Sequence, residues 1–560
     1  MRNLFIFIFL LGTLQGQIKL KEIHAGLDWR LPESAKMADD AGYLSWHPEW
    51  NLKKAKDGHL VDDHIRYATI LMPTWAELEP FPGRYNWEFL DKHINTVSAE
   101  KGCGFLLSVV TYTDSYPAWQ RNKPQRDGIP DWLDKNAKVQ YLSNGTVVTW
   151  NNPEFHKHFV RFLKALGEKL KNEKRMIGVL MGGLDPNHGE WAWRGGDDTL
   201  FEAEKKYGMT PDNLEKWGRT FIDAYLEAFP YMKDRLVWPC SSLNELWMPA
   251  KLKEYRKVAV SLWRYAYEKG CGGRDGGVEA WNRYVDEATG QDWTNQGYLE
   301  IMKDFSPIKE NRLWYTENEV WRVLDDIPKK WRLLIPGAWY ASCLRTLQMQ
   351  RNWMAVGPKY IDRLEAIDPS FLRWVEKSLG QTPKTSKDAW CWLREGYRPS
   401  YTGGTKPIKN IERWITQRDT TADAMSKPAK RVDLGPAQQH WSIAKDHEFH
   451  AREPDAEKGA TALNFYVSDE FLDPAKSHKV QILINWIDSP KSTFRISYLG
   501  RKGITKSEFV KNSGNEIHTA IFDLDDFIPS GKLPGKSDFR IETEKGSDCV
   551  ISFIRIIKRD

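Results

Sequence analysis

Eight short apolar runs, each followed by a stretch of different periodicity, occupy residues 20–380 and limit the folds open to this chain. They are IHAGLDW (23–29), IRYATILMPTW (65–75), GFLLSVVTYT (104–113), MIGVLMGG (176–183), DRLVWPC (234–240), KVAVSLW (257–263), NRLWYTE (311–317) and RNWMAVG (351–357). Each is nearly continuous in apolar residues, the pattern of parallel strands covered on both faces. Between them the apolar positions fall at helical spacing. In 153–172, Phe155, Phe159, Phe162, Leu163, Leu166 and Leu170 share one face, with Asn152 placed to cap and Pro153 in the first turn. Residues 212–229 and 329–349 follow the same logic, with Pro336 expected to kink or break the second. Strands alternating with helices in this way predict an α/β fold, a (β/α)8 TIM barrel over 18–385. An open doubly wound sheet is the rival, but no G-x-G-x-x-G fingerprint follows the first run.

The pattern changes after residue 385. Residues 386–431 read as a linker or as the start of an accessory domain, since YRPSYTGGTKPIKN is rich in glycine, proline and polar residues. Over 432–560 come short alternating runs: ATALNFYVSD, KVQILINWID, TFRISYLG, EIHTAIFDL, SDFRIETE and CVISFIRIIK. Their spacing and turn signals predict a C-terminal antiparallel β-sandwich. At the other end, residues 1–17 combine Arg2, an apolar run over 4–11 and the small Gly16. That is the layout of a signal peptide, with an apolar run too short for a permanent span, and the expected location is secreted or periplasmic.

Bulk properties exclude several function classes. The net charge of +5 is too mild and too evenly spread to predict a nucleic-acid partner, though it permits an anionic substrate. Cys103, Cys240, Cys271, Cys343, Cys391 and Cys549 are scattered without a C-x-x-C pair, so thiolate metal sites are not expected. Buried free thiols, with at most one or two disulfides, are the expectation. The 27 tryptophans are the outlier: such rings either fill a core or stack on sugars.

In a (β/α)8 barrel the chemistry lies at the C-terminal ends of the strands. After run four comes MGGLDPNHGEWAWRGG (181–196) with Glu190, and run seven closes on WYTENEVW with Glu317 and Glu319. Two carboxylates across a barrel mouth are what glycoside hydrolysis requires. Trp191 and Trp193, beside Glu190, would hold a sugar and keep that carboxyl protonated by desolvation.

The segment TWAELEPFPGRYNWEFLD (74–91) carries the pattern W-x-x-x-E-P-x-x-G-x-Y-[ND]-[WF]-x-x-L-D on Trp75, Glu79, Pro80, Gly83, Tyr85, Asn86, Trp87, Leu90 and Asp91. It resembles the stretch after strand two in β-galactosidase-like members of the clan A retaining glycoside hydrolases. The resemblance covers about residues 20–380. It implies Glu190 as general acid/base and Glu317 as nucleophile, with Glu319, on the same strand parity, as the alternative nucleophile. One departure marks a divergent branch: Gly189 stands where the clan has the Asn that binds the sugar 2-hydroxyl. Asn187 and His188 are the candidates to replace it.

Further substrate-binding candidates are Trp75, Trp119, Trp263 and Trp321 as stacking rings and Arg264 as a polar contact, beside Trp191 and Trp193. Arg274, assigned to a loop, is read first as solvated, and Glu79 as a brace of the strand-two loop. No metal-ligand spacing is present, and neither a metal nor a cofactor is expected. The expected partner is a poly- or oligosaccharide, with no nucleic acid and no membrane span; the oligomeric state is open. The sequence therefore predicts a secreted retaining β-glycosidase acting on β-galactoside-type linkages, a sulfated algal galactan being one candidate substrate. A polysaccharide lyase and a non-catalytic glycan-binding protein are the alternatives from other classes.

Overall fold

The computed structural model describes residues 18–58, 64–111, 128–133, 140–141, 147–148, 152–182, 197–239, 253–275, 285–286, 291–292, 312–318, 335–393, 410–429, 451–487, 491–511, 517–547 and 549–559. Eight parallel strands close into a barrel: Gly42–Ser45, Tyr67–Leu71, Cys103–Ser108, Met176–Leu180, Leu236–Pro239, Gly272–Asp275, Trp314–Asn318 and Trp353–Val356, here strands one to eight. The pairing of Trp353 with Gly42 completes the ring. Leu44, Ala68, Ile70, Leu106, Ile177, Leu180, Val237, Tyr315, Trp353 and Ala355 form one buried cluster that fills the interior. Their alternate neighbours, such as Tyr43, Leu71, Leu107, Trp238 and Trp314, face the surrounding helices.

The helices form where the apolar stripe and the caps agree. Pro153–Leu170 begins at Asn152, whose Oδ1 accepts the backbone N–H groups of Glu154 and Phe155 at 3.1 and 3.2 Å. Its six predicted apolar residues are buried. Pro211–Ala228 is capped by Thr210 in the same manner. The described helix Ile335–Gln348 has Pro336 in its first turn, and the part of the expected helix before residue 335 lies outside the described residues.

Two strand expectations are corrected. The run 23–29 does not open the barrel: Lys19–Ala25 pairs antiparallel with Ile517–Phe527 in the C-terminal sheet. Strand one is instead the four-residue Gly42–Ser45. The run 257–263 lies inside the helix Lys253–Glu268, which buries Tyr255, Val258, Leu262 and Ala266 at spacings of three to four residues. Strand six is the GGRD of 272–275, which offers no apolar run to find.

The C-terminal region is a sandwich of two antiparallel sheets. One has eight strands and runs Lys19–Ala25, Ile517–Phe527, His478–Ile487, Val550–Lys558, Asp388–Trp392, Ile411–Arg413, with Arg452–Pro454 also against Val550–Lys558 and Ser426–Pro428 against Arg452–Pro454. The other runs Ile415–Arg418, Ala462–Val467, Phe539–Thr543, Thr493–Gly500, Gly503–Lys506, with Val510–Lys511 against Thr493–Gly500. A shared apolar core that includes Phe465, Trp486, Phe494, Phe522, Phe539 and Ile554 lies between them. Four strands of the sandwich, at 388–392, 411–413, 415–418 and 426–428, thus fall within 386–431, the stretch expected as a linker or the start of an accessory domain.

Sandwich and barrel share a second apolar core. Trp29 packs against Phe371 and Trp374 of the helix Pro369–Ser378 and Phe553 of the sandwich, with ring centroids 4.7–5.2 Å apart. Beneath it, Arg555 donates to Asp388 at 2.8 and 3.1 Å, and Trp374 Nε1 donates to the same carboxylate at 2.8 Å. The five described cysteines, Cys103, Cys271, Cys343, Cys391 and Cys549, are buried free thiols. No described helix is long and apolar enough to cross a membrane.

Candidate active site at the barrel mouth

Strand seven decides which carboxylate can face the barrel axis. Trp314 points outward and meets the Trp263 ring edge-on at 5.7 Å. Tyr315 then points into the interior. Alternation carries Thr316 outward and Glu317 inward, at the C-terminal end of the strand. Glu317 is only 6 % exposed.

Its neighbour is Arg274 on strand six, 2 % exposed, whose Nη2 lies 2.5 Å from Glu317 Oε2. Two glycines allow this contact. A Cβ at Gly272 would lie 1.8 Å from the Leu313 carbonyl oxygen, and one at Gly273 2.6 Å from the Trp314 ring. Strand six can therefore press against strand seven, with Arg274 in register opposite Tyr315 and its guanidinium 6.0 Å from that ring. The arginine expected as a solvated loop residue is a buried barrel residue holding a carboxylate.

The strand-two motif is a structural knot. Thr74 and Glu77 form a capping box: Thr74 Oγ1 accepts the Glu77 N–H at 3.0 Å and Glu77 Oε2 accepts the Thr74 N–H at 2.9 Å. Glu79, fully buried, accepts Trp75 Nε1 at 2.8 Å and the Gly83 N–H at 2.6 Å, and pairs with Arg161. Burial pushes its carboxyl above the ordinary glutamate range, against the pull of these donors. Gly83 has φ +71°, a conformation that favours glycine in this turn. Asn86 Oδ1 caps the helix Trp87–Val97 through the Phe89 N–H at 3.2 Å. The expectation for Glu79 as a brace agrees with this geometry.

Three substrate-binding expectations are corrected. Trp75 is completely buried among Trp132, Phe155, Phe159 and Phe162, so no sugar can reach its face. Trp263, 1 % exposed, is stacked on Tyr267 within the helical layer. Arg264 is exposed, but on the outer helix Lys253–Glu268 rather than in a loop at the mouth. Glu190, Trp119, Asn187, His188, Trp191, Trp193, Glu319 and Trp321 lie outside the described residues.

Trp46 is a candidate the sequence reading missed. It directly follows strand one, on the parity of the inward-facing Leu44, and at 42 % it is the one exposed tryptophan among the described residues. Placing strand one at 42–45 would have found it. Among the described residues no group of three or more His, Cys, Asp and Glu could hold a metal ion. A cleft of about 980 Å³ opens at the opposite end of the barrel, lined in part by Lys36, Asp40, His64, Arg235 and Trp353. Its central carboxylate is committed: Asp40 accepts Asn352 Nδ2 at 3.0 Å and Trp353 Nε1 at 3.3 Å, and pairs with Arg235. These groups brace strand ends, and strand N-termini are not where barrels place chemistry.

Comparison with known proteins agrees with the motif. Residues 47–182 match the family model described as beta-galactosidase. Beta-galactosidase BgaA of Planococcus sp. (strain 'SOS Orange') is 24 % identical over 195 residues, covering 32 % of this chain and 27 % of the relative. Beta-galactosidase bgaB of Geobacillus kaustophilus is 27 % identical over 99 residues, 18 % of this chain and 14 % of that protein. The chain thus spans about a quarter or less of the length of these relatives. Among solved structures, endo-glycoceramidase II from Rhodococcus sp. aligns over 95 % of this chain and 99 % of its own, at 11 % identity and TM-score 0.32. A beta-galactosidase from the psychrophilic Marinomonas ef1 aligns over 56 % and 53 %, at 13 % identity and TM-score 0.26. Over residues 47–182, which include the strand-two knot and barrel strands two to four, the chain is thus similar to the beta-galactosidase family.

Proposed function

We propose that the protein is a secreted retaining β-glycosidase that hydrolyses β-galactoside-type linkages of a polysaccharide or its oligosaccharides, a sulfated algal galactan being one candidate. The observation that supports this reading most is the buried Glu317 at the C-terminal end of strand seven, ion-paired to Arg274. A nucleophile must be ionised and aimed at the point of attack, and both conditions suit a carboxylate held by a guanidinium. Glu317 attacks the anomeric carbon while Glu190, in the segment after strand four, gives its proton to the departing oxygen. The glycosidic bond breaks and a glycosyl ester of Glu317 remains. Glu190, now ionised, takes a proton from water, whose oxygen attacks the same carbon and releases Glu317 with net retention. Trp46 offers a stacking face at the mouth for a sugar ring.

The test is to incubate wild type, Glu190→Gln and Glu317→Gln with neutral and sulfated galactans, reading new reducing ends and the anomer released first. A first-formed β-anomer, lost in both variants, is the expected result. A first-formed α-anomer from a β-linked substrate would overturn the retaining assignment. Binding without turnover in wild type, unchanged in Glu317→Gln, would favour a glycan-binding protein, the reading to which Gly189 before Glu190 lends weight.

A further inference from the structure

We propose that Arg274 is a positioning residue that holds Glu317 ionised and aimed as the nucleophile. This rests on the reading of Glu317 as nucleophile and adds how the barrel holds that carboxylate. The missing side chains of Gly272 and Gly273 let strand six approach strand seven. Arg274 is thereby placed in register with Tyr315, two residues before Glu317, inside the barrel rather than in solvent. Its Nη2 stands 2.5 Å from Glu317 Oε2.

An arginine keeps its proton at all working pH values and offers a rigid planar fork, so this partner fixes the rotamer as well as the charge of the carboxylate. Lysine would supply the charge without the fork. A buried guanidinium whose partner became a neutral ester would lose that ionic contact. Arg274 therefore disfavours the glycosyl ester relative to free Glu317 and draws the second step forward. The role separates into two effects: holding Glu317 ionised down to low pH, and hastening release of the sugar.

The experiment uses the full chain as wild type, Arg274→Gln and Arg274→Lys, labelled with carboxyl-carbon-13 glutamate, with Glu317→Gln to assign the resonance. The Glu317 carboxyl is titrated by NMR, and the acid limb of the rate profile on an aryl β-galactoside is recorded beside it. Loss of Arg274 is expected to move both to higher pH by about 1–3 units, while Arg274→Lys stays nearer wild type in midpoint but loses turnover. A Glu317 midpoint in folded Arg274→Gln equal to that of wild type overturns the proposal. So does a wild-type midpoint in the ordinary glutamate range, a result that needs no variant to fold. The underlying reading fails separately: turnover retained in Glu317→Gln would remove Glu317 as nucleophile, while the titration still reports on the pair.

Discussion

Trp46 and Glu376 show how far single side chains carry the account. If Trp46 stacks on a bound sugar, Trp46→Ala should raise KM about tenfold, equivalent to ~1.4 kcal/mol of binding, with kcat largely kept. An unchanged KM would remove the ring from the site. Glu376, on the helix Pro369–Ser378, is a different case. Burial, with Glu365 adding to it, pushes its carboxyl up to about 7 from an ordinary 4.5, despite Lys54, Arg373 and Arg66. The folded state therefore keeps a proton that the unfolded chain releases. Its contribution to stability is present below about pH 4.5 and is lost as pH rises through about 7. Glu376→Gln should accordingly raise Tm at pH 8 relative to wild type and do so least at pH 5. A Tm difference independent of pH would contradict this sign.

At the scale of elements, the knot after strand two holds the barrel wall, and its residues were legible because every one has a chemical job. Glu79→Ala strips Trp75, Gly83 and Arg161 of their acceptor. A loss of about 1–3 kcal/mol is expected, since the buried Trp75 N–H is left without its acceptor while Arg161, partly exposed, can turn to solvent. Thermal unfolding would show it as a drop in Tm of several degrees. The capped helix Pro153–Leu170 was equally visible, because stripe, cap and proline all agree there. Two barrel strands were not. Gly42–Ser45 and Gly272–Asp275 are four residues long, and the second contains two glycines and an Arg–Asp pair. Their strand character comes from pairing with neighbours, which no local pattern encodes. The helix Lys253–Glu268 misled for the opposite reason: its central apolar residues are dense enough to imitate a buried strand. Misplacing strand six hid Arg274, and misplacing strand one hid Trp46.

For the whole molecule, the sandwich is part of the fold of the barrel. The strand Lys19–Ala25 precedes the barrel in sequence but belongs to the C-terminal sheet. Trp29, Trp374, Trp390 and Phe553 lie in a single apolar cluster, and Arg555 with Asp388 forms a buried pair beneath it. Ending the chain near residue 386 would bare this face and leave 19–25 without a partner. Such a fragment should be insoluble or molten, judged by expression and near-ultraviolet circular dichroism. A soluble, fully active fragment would show the sandwich to be dispensable. Six of the longer C-terminal strands were readable from alternation, whereas the short strands beside them and their union with residues 19–25 depend on long-range pairing that sequence patterning does not show.

The most direct measurement is to treat the protein with an activated fluorosugar analogue of galactose and map the labelled peptide by mass spectrometry. One label, on Glu317, is the expected result. A label on Glu319, or rapid β-galactoside turnover with no covalent adduct at all, would contradict it.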